Sequence, residues 1–158
     1  MGPIETDYLV IGSGAVGMAF VDTMLDETEA SFVIVDRHHL PGGHWNDAYP
    51  FVRLHQPSAS YGVPSMRLGA DRIDEAGSNK GYYELASGAE VLSYFEKVMR
   101  ERFLPSGRVR YFPMSDYLGD GRFRSIERDL HFLCYRTRDA ATPKVRRFCD
   151  WIIAESGV

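Results

Sequence analysis

The sequence contains no apolar run long enough to span a bilayer, and its first residues lack the basic, apolar, small-residue order of a secretory signal. A protein without membrane attachment is expected. Cysteine is scarce: Cys134 and Cys149 are the two, and neither has metal-ligand company at a useful spacing. No metal site is expected, and two isolated, reduced thiols point to the cytoplasm. Basic excess is missing too, since the net charge is −4. The charge is uneven, with 4 basic and 11 acidic residues in 1–79 against 14 and 11 in 80–158. The basic charges of the second half alternate with acids or apolar residues and accompany no recognised nucleic-acid motif. That half reads as a solvated surface, not a nucleic-acid face. No Ser/His/Asp or Cys/His arrangement and no paired carboxylates stand out, so the catalytic residues are unknown. There is no internal repeat.

What is present supports folding. At 158 residues, with 44% apolar and 13% aromatic side chains, the chain can build one core and is short for two. The most informative stretch is Tyr8 to Met18, which reads as a short buried strand, a Gly-x-Gly-x-x-Gly turn at Gly12, Gly14 and Gly17, and the first turn of a helix. A second apolar run, Phe32 to Val35, ends on Asp36, 24 residues after Gly12. This is the order of parts in a dinucleotide-binding βαβ unit. Gly12 permits a tight exit from the strand, Gly14 close approach of backbone to a pyrophosphate, and Gly17 tight packing of helix on strand. The free amides around Ser13, Gly14 and Ala15 would face the diphosphate. Asp36 can accept from the two hydroxyls of an adenosine ribose and would repel a 2′-phosphate, which favours FAD or NAD over NADP; Arg37 beside it pulls the other way. Asp26, Glu27 and Glu29 sit near the helix C-terminus, where the dipole prefers cations.

From Arg37 to Tyr83 no helix or strand period is evident. The segment is rich in Gly, Pro, Ser and aromatics and reads as an ordered wrap around a ligand, with short helical turns near Asp71 to Ala76. Ser87 to Glu90 has the form of a capping box, followed by a helix with Val91, Leu92, Phe95, Val98, Met99 and Phe103 on one face, stopped by Pro105 and Gly107. Arg108 to Phe112 is expected as a third parallel strand, and Arg122 to Ile126 with His131 to Thr137 as a hairpin. A terminal amphipathic helix is expected from Thr142 to Gly157, its stripe formed by Val145, Phe148, Cys149, Ile152 and Ile153.

Three pieces carry a family resemblance: Val10-Ile11-Gly12-Ser13-Gly14-Ala15-Val16-Gly17, Val33-Ile34-Val35-Asp36-Arg37 and Gly42-Gly43-His44-Trp45. With them the chain resembles the N-terminal FAD-binding part of flavoprotein oxidoreductases, most of all flavin-dependent monooxygenases of the FMO/Baeyer–Villiger kind. The resemblance covers about residues 5–127 and implies an α/β, Rossmann-like, three-layer FAD/NAD(P)-binding domain with a parallel sheet and a β-hairpin insertion. It implies FAD as cofactor, with NAD(P)H as a possible electron donor. It also implies that Gly42-Gly43 approach the flavin with Trp45 packed nearby, and that the adenine rests near Pro113-Met114-Ser115. His44 and His55 read equally as cofactor contacts and as structural histidines, Gln56 and Arg53 are weaker candidates, and His38 and His39 read as loop surface.

The family's second Gly-x-Gly-x-x-Gly, its monooxygenase fingerprint and its late Gly-Asp element are absent from this sequence. It is therefore expected to be an incomplete unit: a fragment, a shortened gene product or a half-module, with 1–127 as the FAD-binding domain and 128–158 an unmatched hairpin strand and helix packed on it. Whether such a chain catalyses alone is open. Two other readings stand beside this one: an NAD-binding reductase-type domain, and a non-catalytic remnant or partner subunit that docks through its terminal helix.

Overall fold

In the computed structural model, residues 3–136 are described, with the single positions 138, 142, 143 and 147 beyond them. The expected terminal helix and most of the unmatched region lie outside the described residues. The elements run β1 (Ile4–Thr6), β2 (Tyr8–Ile11), α1 (Ala15–Glu27), β3 (Phe32–Val35), a short hairpin β4 (Gly62–Val63) and β5 (Met66–Arg67), α2 (Gly88–Val98), β6 (Val109–Phe112), β7 (Ser115–Gly119), β8 (Arg122–Ser125) and β9 (Leu130–Arg136).

Three layers result. The middle layer is a parallel sheet in the order β2-β3-β6, with Tyr8 opposite Phe32 and Phe32 opposite Val109. This is the 3-2-1 half of a doubly wound nucleotide-binding sheet. Its central strand β3, Phe-Val-Ile-Val, is buried on both faces. Phe32 and Ile34 face a core built with Met18, Val21, Val91, Phe95, Val98 and Phe103 from the helices. Val33 and Val35 face the other layer, against Phe123, Cys134 and Ile4. That layer is a four-stranded sheet in the order β1-β9-β8-β7, antiparallel except where β1 runs beside β9. The expected hairpin is thus part of a larger meander. β1 went unseen because it is short and pairs only with β9, far away in sequence, whereas β7 forms a local hairpin with β8 that the sequence reading passed over.

The first parallel strand corrects one expectation. β2 is not a buried strand: Tyr8 is 40% and Ile11 51% exposed, because no described strand pairs with its outer edge. Val16 and Phe20 of α1 lie exposed on the same flank, and the Phe20 ring meets that of Tyr8 edge-on at 5.5 Å.

The second helix behaves as its sequence requires. Ser87 Oγ accepts from Glu90 N while the Glu90 carboxylate accepts from Ser87 N, which satisfies two otherwise orphaned donors. Past Val98 the helix widens into a π-turn over Met99–Phe103 and stops at Gly107 in the left-handed region, φ 69°. Arg102, within that π-turn, reaches back to the wholly buried Asp22 of α1 and sits 2.8 Å from Asp26. Asp22 also accepts from Ser65 N at 2.9 Å and from Ser65 Oγ, so one carboxylate joins α1, the β4–β5 turn and the end of the second helix.

The acidic C-terminus of α1 finds its cations from outside the helix. Besides Arg102 at Asp26, Arg108 donates to the carbonyls of Thr28 and Leu25, which supplies the charge that the dipole prefers there.

The irregular segment from 37 to 87 is ordered, but it is mostly a cover over the helices. Trp45 is buried against the helical core and donates to Tyr61 Oη at 2.8 Å; Tyr94 Oη donates to Met66 O and accepts from Val63 N. Near Asp71 to Ala76 there is no helical turn; Ile73 instead bridges to Tyr83 as an isolated β-pair. Among the described residues no helix is long and apolar enough to cross a membrane.

Candidate functional site

The site lies where the carboxyl ends of the parallel strands meet the start of α1. Gly12 leaves β2 with φ 96°, a conformation that costs a residue with a β-carbon strain, and Gly14 is the helix N-cap in an extended conformation. No side chain caps α1 and no acid occupies its first turn. The first amides of the helix therefore have neither an intrahelical partner nor a side-chain one. They open on a cavity of about 680 Å³ lined by Ile11, Gly12, Gly14 to Gly17, Val35 to His38, Gly43, His44 and Ser115 to Tyr117. A helix N-terminus in this state suits an anion, which gains both donors and dipole.

Two glycine segments about 30 residues apart meet at the rim. Gly42 N donates to Ser13 O at 2.8 Å, and Gly43, at φ 58°, lies so close to Gly14 that a β-carbon on it would fall 2.9 Å from the Gly14 α-carbon. Asn46 braces this second loop by donating to the carbonyls of Leu40 and Gly43, both at 3.0 Å. Gly17 is where helix meets strand: a β-carbon there would press into the Gly12 carbonyl oxygen.

Asp36 closes the site between the two loops. Its Oδ2 accepts from Ser13 N at 2.5 Å and Ser13 Oγ at 2.7 Å, and its Oδ1 from His38 N at 2.8 Å and His38 Nδ1 at 3.0 Å. Burial alone would raise the Asp36 pKa, but these hydrogen bonds together outweigh it and hold the carboxyl below its ordinary range. Tyr111, 3.4 Å from Ser13 Oγ, is pushed up to about 12 by its burial and by the nearby Asp36 charge, so it stays a neutral phenol.

The residues named from sequence divide into two groups. Gly12, Gly14, Ala15, Gly17, Asp36, Arg37, Gly43 and His44 come together on the cavity wall. Ser13 is wholly buried behind it, committed to Asp36. Trp45 packs into the helical core, and His55 and Gln56 are exposed on the cover segment, where Gln56 donates to Ser60 O. None of these three lines the cavity, and neither does Met114, whose amide donates to His38 O at 3.1 Å.

Reading His38 as loop surface is corrected. Its side chain is only 16% exposed, and it is suspended between Asp36 and Asp47, with Nε2 2.9 Å from Asp47 Oδ2. Asp116 and Tyr117 on the wall were also missed, although the Asp120-Gly121 turn after them is a hairpin signal to β8; Ser115 had been named with the adenine loop. A possible signal for His38 was its place two residues after the strand-terminal acid, where a side chain can fold back on that carboxylate.

No known family profile matches the chain. It is similar to an uncharacterised protein of Mycobacterium tuberculosis strain H37Rv and to one of Mycobacterium bovis, each 61% identical over 123 residues. The match takes in 78% of this chain but 23% of each relative, so the chain spans about a quarter of the length of the curated proteins it matches. Among solved structures it is similar to a flavin-containing monooxygenase from Stenotrophomonas maltophilia, at TM-score 0.53, 22% identity and coverage of 82% of this chain and 36% of that one. A bacillithiol disulfide reductase from Staphylococcus aureus gives TM-score 0.55 at 10% identity, with 82% and 36% covered. A cyclohexanone monooxygenase from Rhodococcus sp. Phi1, bound to NADP+, gives 0.51 at 22% identity, with 85% and 25% covered. At these identities the likeness is one of fold, and it places the chain among Rossmann-like α/β folds with a parallel sheet.

Proposed function

We propose that the chain is the FAD-binding part of a flavin-dependent oxidoreductase of the monooxygenase-like kind, and that the cavity at the start of α1 holds the cofactor's diphosphate. The observation that carries this reading is the meeting of the two glycine loops. A single βαβ unit for NAD needs only the first; a second backbone, Gly42-Gly43, brought against Gly14 makes a narrow two-sided cleft. The uncapped helix start supplies amides on one side of that cleft, and Gly43 and His44 form the other. The fit with the cofactor is good at the diphosphate.

In this reading Gly12, Gly14 and the first turn of α1 bind and orient the diphosphate, while Asp36 fixes the glycine turn through Ser13. A bound flavin would supply the electron transfer, with NAD(P)H as the donor; this chain supplies position and electrostatics. The proposal extends to a larger protein in which further segments complete the active site.

Titration of the purified 158-residue chain with FAD, followed by quenching of flavin fluorescence and by thermal unfolding, tests the reading. Saturable quenching and a melting temperature that rises with FAD are expected. A melting temperature that responds to NAD alone would move the chain to the reductase-type reading, and no response to either would end both.

A further inference from the structure

Asp36, the strand-terminal acid that would meet the ribose, has no acceptor position to spare. A carboxylate offers about four acceptor positions, and protein donors fill all of them on Asp36: two from Ser13 and two from His38. None is left for the ribose hydroxyls that a strand-terminal acid ordinarily receives in a dinucleotide fold. Three of the four donors cannot be exchanged cheaply. Ser13 N and His38 N are backbone groups fixed by the two turns, and Ser13 Oγ is on a residue with no exposure at all. The fourth is the imidazole Nδ1 of His38, on a side chain that turns about two single bonds and itself lines the cavity.

We propose that His38 is the specificity-determining residue at the ribose end: its imidazole occupies Asp36 Oδ1 in place of a ribose hydroxyl and must swing out when the adenosine moiety binds. The proposal rests on the dinucleotide reading above and deepens it. Asp47 is the other half of the device. It ends the short turn Gly43–Asp47, and its Oδ2, 2.9 Å from His38 Nε2, holds the ring in the closed position. The same contact couples the flavin-side glycine loop to the ribose-side acid. Exchange of one charge-assisted hydrogen bond for another conserves the count, and the penalty on ligand binding is the disruption of the His38 bridge.

The test uses the full chain and two probes, ADP and 2′-deoxy-ADP, which differ in one of the two hydroxyls that Asp36 could accept, with FAD titrated in parallel. Calorimetric titration of wild type, His38→Ala and Asp47→Ala gives the affinities. His38→Ala is expected to bind ADP about five- to tenfold more tightly than wild type, the equivalent of one net hydrogen bond. It should bind 2′-deoxy-ADP much less improved, so the ratio between the probes widens. Asp47→Ala, which leaves the imidazole but frees it, should show the same trend about two- to threefold, and it carries the test if His38→Ala does not fold.

Equal ADP affinities in all three proteins, or weaker binding by His38→Ala, overturn the proposal; the weaker result would make His38 a ligand contact in its own right. An unchanged response to FAD in that event leaves the dinucleotide reading standing. Failure of wild type and both variants to bind ADP, 2′-deoxy-ADP and FAD overturns the two together.

Discussion

Gly14→Ala and Gly17→Ala are three residues apart in one motif, yet the structure assigns them opposite consequences. Gly14 has φ −77° and ψ −179°, a conformation open to alanine, and its new β-carbon would lie 3.5 Å from the Gly43 α-carbon, an ordinary contact. Alanine is a poorer N-cap than glycine, but it also narrows the unfolded ensemble, so the change in stability should stay within about 0.5 kcal/mol. The methyl would stand where the diphosphate must approach the helix amides. Loss of one hydrogen bond to a charged group is worth roughly 1.5–3 kcal/mol, which corresponds to about a tenfold to hundredfold loss of FAD affinity. Gly17→Ala should do the reverse. Its β-carbon meets backbone, the Gly12 carbonyl, and neither helix nor strand can yield without disturbing the core. Overpacking of this kind costs about 1–3 kcal/mol, or roughly 2–12 °C in melting temperature for a chain of this size. Circular dichroism melts, paired with FAD titration at a temperature where all three proteins are folded, separate the two effects. If Gly14→Ala binds FAD as wild type does, or loses as much stability as Gly17→Ala, the assignment of roles within the turn is wrong.

Asp36 lends the fold acid sensitivity: its folded pKa lies below the ordinary value of 3.8, so its contribution is complete above that value and fades as pH falls through the folded one. Asp36→Asn should therefore be less stable than wild type at neutral pH by about 1–3 kcal/mol, with the gap closing below about pH 4; a gap constant with pH in urea melts would contradict this. Asp22→Ala removes a buried acceptor from Ser65 and Arg102 and should cost about 3 kcal/mol in chemical denaturation, since Arg102 keeps Asp26 and a route to water. A cost below about 1 kcal/mol would show that the Asp22 junction does not hold the cover segment to the helices. Burial pushes the Cys134 thiol up to about 11, so the folded protein should leave Cys134 unlabelled by a maleimide at neutral pH, read by peptide mass mapping, until denaturant is added.

The parts of the fold legible in sequence are those with a local cause. The glycine turn, the apolar strand β3, the capping box at Ser87 and the stop at Gly107 each declare themselves within a few residues, because a backbone angle or a hydrogen bond between near neighbours requires that residue type. The parts that escaped are settled across long separations. The acids at the end of α1 look misplaced until Arg108, about 80 positions later, is folded onto Thr28 and Leu25. The aromatic cover looked like a ligand wrap because its composition is the same whether Trp45 packs on a cofactor or on Tyr61. At the site, the glycines and Asp36 could be named, but that Ser13 engages Asp36 in addition to the neighbouring His38 depends on where the glycine turn meets the end of β3.

Among the described residues no strand pairs with the outer margin of β2, and this has a practical consequence for anyone handling the chain. A row of peptide donors and acceptors beside Tyr8, Ile11, Val16 and Phe20 is a template that welcomes any extended segment, including another copy of itself. Oligomers that grow with concentration in sedimentation experiments would then record adhesion along this seam, and should not be taken for a working quaternary state.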